Sequence, residues 1–207
     1  MIHSIESERQ AAQWLIDGCR TPAERNRLGQ FATPNVLAVD IVRYVESVIG
    51  SAQGIISFAD PSVGSGSFFS AALAVFGSER IGSAIGVEID PAFAAAARKL
   101  WADAGLEVMR DDFTRVVAND ACPPAPNVIL ANPPYVRHHH MSREDKERLQ
   151  HLVFKMTGVE VNGLAGLYVY FLLLATAWME DDGIAAWLIP SEFMDVNYGA
   201  ALKGFLA

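Results

Sequence analysis

The chain has 207 residues, room for one domain with a full hydrophobic core. With 51% apolar and 19% charged residues it has the balance of a globular protein, not a disordered or fibrous one. A formal charge of −8 argues against a broad basic face for gripping phosphates, so any hold on nucleic acid is local or lies elsewhere.

The opening "MIHSIESERQAAQWL" carries early acidic residues and no long apolar stretch, so no secretory signal and a cytoplasmic location are expected. Residues 5–28 pattern as a helix. Pro34 to Ile49 pattern as a second, entered through "GQFATP". Strand patterns follow at Ile55–Ala59, Ala84–Glu88, Asn127–Ala131 and Ile184–Ile189, with a weaker one near Leu106–Met109. Between them lie the helical stretches "SGSFFSAALAVFG" and "DPAFAAAARKLWADAG". The second opens at Asp90-Pro91, a cap followed by proline at the first helical position, and ends near Gly105. A further helix starts at Ser142. The apolar stretch of residues 163–179 sits at the lower length limit for crossing a bilayer, but acidic "EDD" follows it, and a buried core helix over about residues 165–180 is expected. Cys19 and Cys122 supply neither a disulfide framework nor metal-ligand spacing, and no metal site is expected.

Alternating strands and helices without repeats imply one α/β domain over residues 1–207, its parallel sheet covered by helices on both faces. Such a sheet binds ligands in the crevice at the carboxyl ends of its strands. The first strand runs into "DPSVGSGSFF", whose glycines permit close backbone approach, yet it matches neither a phosphate P-loop nor a dinucleotide fingerprint. Asp60 at that tip favours a cationic or amine-bearing ligand. In "GVEID", Glu88 lies at the distance suited to a ribose diol, and Ile89 offers an apolar face to a purine. "RDDF" brings an acid for an exocyclic amine and Phe113 as a ring wall. A nucleoside with an amine-bearing tail and no phosphate loop points to S-adenosylmethionine. At the fourth tip, "NPPY" places the carboxamide of Asn132 beside the rigid Pro133 and Pro134. The Asn132 oxygen and the Pro133 carbonyl are two acceptors for both hydrogens of one amino group. Tyr135 offers a flat face to a planar ring.

In order, "GQFATP", "DPSVGSGSFF", "GVEID", "DDF", "NPPY" and "YVYFLLLATAWMEDDGIAAWLIPSEF" make the chain resemble the S-adenosylmethionine-dependent amino-methyltransferases of DNA. Its greatest likeness is to the adenine-specific enzymes of bacterial restriction–modification systems. The resemblance implies a Rossmann-like methyltransferase fold with strand order 3-2-1-4-5. It implies Phe31, Thr33, Asp60, Pro61, Gly64, Gly66, Glu88, Ile89, Asp112 and Phe113 as cofactor-binding residues. Asp112 is preferred over Asp111 because the family pattern is Asp-Phe. Asn132, Pro133, Pro134 and Tyr135 match the catalytic motif. The implied reaction is methyl transfer to the N6 amine of an adenine flipped out of double-stranded DNA.

"RHHHMSREDKER" adds local positive charge next to that motif and reads as a DNA-facing loop; its adjacent histidines point in different directions and make a poor metal site. The family carries two further strands and a recognition domain after the region matching "SEFMDVNYGAALKGFLA". The chain is therefore expected to be a catalytic core, weakly active or inactive alone, with an exposed edge at its fifth strand. A nuclease or another defence-system subunit is the implied protein partner. "NPPY" also suits amino-methyltransferases of protein glutamine or of RNA, and the acceptor pair equally fits cytosine N4. A catalytically silent cofactor-binding scaffold is the non-enzymatic alternative.

Overall fold

The computed structural model describes residues 2–50, 54–118, 122–191 and 200–206. Among these residues five strands form one sheet in the order β3-β2-β1-β4-β5, each neighbouring pair parallel. They are β1 Ile56–Asp60, β2 Ile81–Val87, β3 Leu106–Met109, β4 Val128–Ala131 and β5 Ile184–Trp187. The expected order holds. β2 starts earlier than its apolar pattern because Ile81 and Ser83 pair with Ile56 and Ser57 across the sheet. Half of the stretch "SEFMDVNYGAALKGFLA", residues 192–199, lies outside the described residues.

Successive residues along the strands feed opposite faces. Phe58, Val128 and Leu130 join one core with α3 (Asn35–Ile49), α4 (Ser67–Phe76) and α5 (Pro91–Trp101). Ala59 and Ile129 join a second core with α6 (Phe113–Val116), α7 (Arg143–Thr157), α8 (Leu167–Trp178) and α9 (Ala200–Leu206). α8 is apolar nearly all round because almost every side is covered. Among the described residues no helix is long and apolar enough to cross a membrane.

The sequence pattern fails at the N-terminus, where residues 5–28 form two helices, α1 (Ile2–Gly18) and α2 (Pro22–Leu28). Thr21 caps α2 by accepting from the Glu24 amide at 3.2 Å, and Glu24 reaches back to the Thr21 amide at 2.8 Å. With Pro22 in the first turn, "TPAE" restarts the helix. α1 docks on α4 and α5 through buried charge. Arg9, 3% exposed, donates two hydrogen bonds to Glu6 and a third to Ser65 Oγ at 2.9 Å. Ser70 also donates to Glu6, at 2.6 Å. The α1 helix thus rests on the glycine turn that follows β1.

That turn is held from below. The Trp101 indole, fully buried, donates to the Ser65 carbonyl at 2.8 Å. A Cβ on Gly66 would meet Trp101 Nε1 at 2.2 Å, and Gly66 has φ +92°. Gly66→Ala is expected to destabilise the protein by about 2 kcal/mol or more. The measurement is a fall in the urea midpoint with an unchanged denaturant slope.

Candidate active site

At the carboxyl ends of the strands lies a cavity of about 500 Å³, a size suited to a small-molecule cofactor. β1 ends in Asp60, β2 hands over to Glu88 and Ile89, β3 to Asp112 and Phe113, and β4 to Asn132; all of these line the cavity. Phe31, Thr33, Pro61, Gly64 and Pro134 line it as well. Of the residues singled out from the sequence, Gly66, Pro133 and Tyr135 do not. Gly66 faces Trp101 beneath the turn.

Asp60 is almost wholly buried, accepts from the Ser62 amide at 2.9 Å, and has its pKa pushed up to about 8. Desolvation is the main cause, the Ser62 amide opposes it, and the neighbouring charge of Glu88 adds to it. Burial also raises Glu88, although two backbone amides counter the effect. Its oxygens accept from the Gly64 amide at 2.9 Å and the Asp90 amide at 2.8 Å, which staples the glycine turn to the end of β2. Two carboxylates starved of solvent in one cavity favour a cation or hydroxyl donors there.

On the purine side of the expected ligand, Ile89 is 68% exposed although it is apolar, leaving a flat hydrophobic face over the cavity. Phe113 is buried against Phe171 and Trp178. The Asp112 carboxylate caps α6, accepting from the Thr114 amide at 2.9 Å and its hydroxyl at 2.8 Å. Arg148 of α7 comes within 3.8 Å of Asp112 and donates to Thr114 Oγ1 at 3.0 Å.

The segment "GQFATP" lies directly on "NPPY". The Tyr135 amide donates to the Gly29 carbonyl at 3.1 Å, and a Cβ on Gly29 (φ +65°) would sit 2.4 Å from the Tyr135 nitrogen. The rings of Phe31 and Tyr135 stack at 5.4 Å with planes 27° apart. Burial pushes the Tyr135 phenol up to about 12, so it stays protonated and donates to the Leu188 carbonyl at 2.8 Å. Asn132 Nδ2 donates to the Phe31 carbonyl at 2.9 Å and to Thr33 Oγ1 at 3.0 Å. Its Oδ1 is buried and accepts no hydrogen bond among the described residues. An ion pair between Arg20 and Asp90, with Arg20 also donating to Gln30 Oε1 at 2.6 Å, ties the same segment to the start of α5.

Sequence reading missed Gln13 and Asp17 of α1 and Arg148 of α7, which also line the cavity. Gln13 and Asp17 are hydrogen-bonded one helical turn apart, at 2.9 Å, so their shared face was legible. No local pattern marks Arg148; only the packing of α7 brings it there. Arg137 and the short 3₁₀ turn His138–His140 flank the mouth, with His140 on the lining itself. Among the described residues no cluster of His, Cys, Asp or Glu could hold a metal.

The sheet order and the strand-end cavity define the Rossmann-like fold of S-adenosylmethionine-dependent methyltransferases. A class I S-adenosylmethionine-dependent methyltransferase structure from Listeria monocytogenes superposes with a TM-score of 0.73 at 17% identity, over 98% of this chain and 59% of that one. Residues 127–207 match the sequence model of the Eco57I restriction-modification methylase family. The Type II methyltransferase M.XamI of Xanthomonas campestris pv. amaranthicola is 32% identical over 95% of this chain and 36% of its own length. M.AccI of Acinetobacter calcoaceticus is 25% identical over 88% of this chain and 31% of its own. The chain thus spans about a third of the length of these curated relatives. The expected resemblance to restriction–modification methyltransferases is present in these sequence matches, and the fold is that of the wider methyltransferase class.

S-adenosylmethionine is the cofactor this fold and family imply, and the cavity fits it. Its lining offers the chemistry such a molecule needs: carboxylates from Asp17, Asp60 and Glu88 for a cation and hydroxyl donors, and apolar surface from Ile89 and Phe113 for a purine.

An acid whose folded pKa is raised to about 8 from 3.8 holds its proton longer in the folded than in the unfolded chain. Stability from this group therefore falls as pH rises between those values and levels off above about 8. Asp60→Asn should flatten that slope in urea midpoints measured across the range. S-adenosylmethionine, as a cation, should bind the natural protein more tightly as pH rises toward 8, and calorimetry should show proton release that the variant lacks.

Proposed function

We propose that this chain is the catalytic core of a DNA methyltransferase that moves a methyl group from S-adenosylmethionine to the N6 amine of an adenine flipped out of the duplex. The observation carrying this reading is the Asn132 carboxamide. Both of its protons are engaged by Phe31 and Thr33, and its buried oxygen is left without a donor in a residue that lines the cavity. A buried acceptor without a donor costs about 1–3 kcal/mol, and an incoming amine would recover it.

An aryl amine is a poor nucleophile because its lone pair is delocalised into the ring. Acceptance of one hydrogen by Asn132 Oδ1 and, as the family likeness implies, of the other by the Pro133 carbonyl would withdraw that lone pair from the ring and localise it on nitrogen. When bound, the cofactor supplies an electrophilic methyl on a positively charged sulfur. Asn132 and Pro133 would hold the amine toward that methyl, an N–C bond would replace the S–C bond, and the surplus proton on nitrogen would pass to solvent. Alignment and fixed dipoles carry the rate, with no covalent enzyme intermediate. The half-exposed ring of Phe31, backed by its stack on Tyr135, replaces the stacking a flipped base loses.

DNA is favoured as substrate by the likeness to restriction–modification methyltransferases and by Arg137, the three histidines and Arg143 beside the mouth of an otherwise acidic protein. A nuclease or recognition module in the same system is the partner this reading implies.

Mass spectrometry of nucleosides from DNA treated with the full enzyme should find 6-methyladenine; 4-methylcytosine alone, or methylglutamine in protein, would assign another substrate. Asn132→Ala should lower transfer by about a hundredfold or more while leaving S-adenosylmethionine affinity within about threefold. Equal losses in both would sink the role given to this side chain.

A further inference from the structure

We infer that Thr33 is a positioning residue for the Asn132 amide, acting on methyl transfer through that side chain and not through retention of the cofactor. The inference rests on the function proposed above. The family likeness assigns Thr33 to binding the cofactor; the hydrogen bonds give it a different task.

A primary amide in a protein has two orientations related by a half turn, nearly equal in shape and opposite in polarity. Only one presents an acceptor to an incoming amine. The other presents N–H to N–H and repels it. At Asn132 the Phe31 carbonyl, an acceptor only, lies 2.9 Å from Nδ2 and sets the sense of the amide, since turning it over would put oxygen against oxygen. The Thr33 hydroxyl oxygen, 3.0 Å from Nδ2, engages the second proton and holds the tip of the amide in place.

Each acceptor is itself anchored. Thr33 is buried, and its carbonyl accepts from Ser67 Oγ at 3.0 Å, fixing it to the first turn of α4. Phe31 is fixed by its stack on Tyr135 and by the close passage of Gly29 over the Tyr135 backbone. On the other side, the Asn132 carbonyl accepts from Ser62 Oγ at 3.0 Å. The amide is therefore held by the glycine turn at its backbone and by "GQFATP" at its tip. Of the two acceptors on the amide nitrogen, only the Thr33 hydroxyl is a side-chain group, which substitution removes at nearly constant volume.

The test compares Thr33→Val, which keeps the shape and loses the acceptor, with Thr33→Ser, which keeps the acceptor. Measurements use the full enzyme, tritiated S-adenosylmethionine and genomic DNA from an unmodified host. Thr33→Val should lower kcat about tenfold or more while the S-adenosylmethionine dissociation constant moves less than about threefold, and Thr33→Ser should restore most of the rate. A second readout needs no activity. The Asn132 side-chain NH₂ signal, identified by its absence from the Asn132→Ala spectrum, should exchange slowly in the natural protein and in Thr33→Ser. It should exchange fast in Thr33→Val, with backbone amides unchanged. A Thr33→Val variant that weakens cofactor binding at constant kcat, an amide whose exchange is indifferent to the substitution, or a serine variant as impaired as valine would each overturn the inference. Failure of the natural enzyme to methylate DNA would strike the proposed function instead, and the exchange experiment would still decide the role of Thr33.

Discussion

A buried carboxamide with both protons already engaged has only its oxygen left to offer, and the rest of the site is arranged around that condition. Asn132 stands at the end of β4, but β4 alone does not orient it. The two acceptors come from residues 101 and 99 positions earlier in the chain. Gly29 matters for the same reason, since only a residue without a Cβ lets the loop carrying Phe31 and Thr33 lie on the Tyr135 backbone. The glycine after β1, the stacked rings and the Arg20–Asp90 pair all serve to keep one short segment against another.

The cavity next to this amide is electrostatically divided. Toward α1 and β1 it is acidic, with Asp60 and Glu88 buried enough that their charged forms are disfavoured while no counter-charge is present. Toward α7 it contains Arg148, partly spoken for by Asp112 and Thr114. Outside the rim lie Arg137 and the histidine turn. A ligand with a cationic tail and a neutral purine would suit that division with its tail toward Asp60 and its ring toward Ile89.

Much of this was readable from residue order. Strand patterns located the four tips because parallel strands buried on both faces leave unbroken apolar runs, and the residues just past each run were the ones that line the cavity. Two things were hidden. The division of the first helix into α1 and α2 lay in "TPAE", a start signal masked by helix-favouring residues on either side. The contribution of α1 and α7 to the cavity depends on how those helices dock, and docking is a property of the assembled core. The likeness to known methyltransferases named Phe31 and Thr33 for the cofactor; their contact with Asn132 is invisible to any reading that stays within one segment.

The contact between "GQFATP" and "NPPY" closes a loop of about a hundred residues, and long loops close late because their entropy must be offset by structure already in place. The sheet, its hollow and the buried acids can assemble from nearer neighbours. A chain that has folded that far but not yet laid residues 29–33 across the fourth strand tip has its buried acids in place, but neither the full wall of the cavity nor an oriented Asn132 amide.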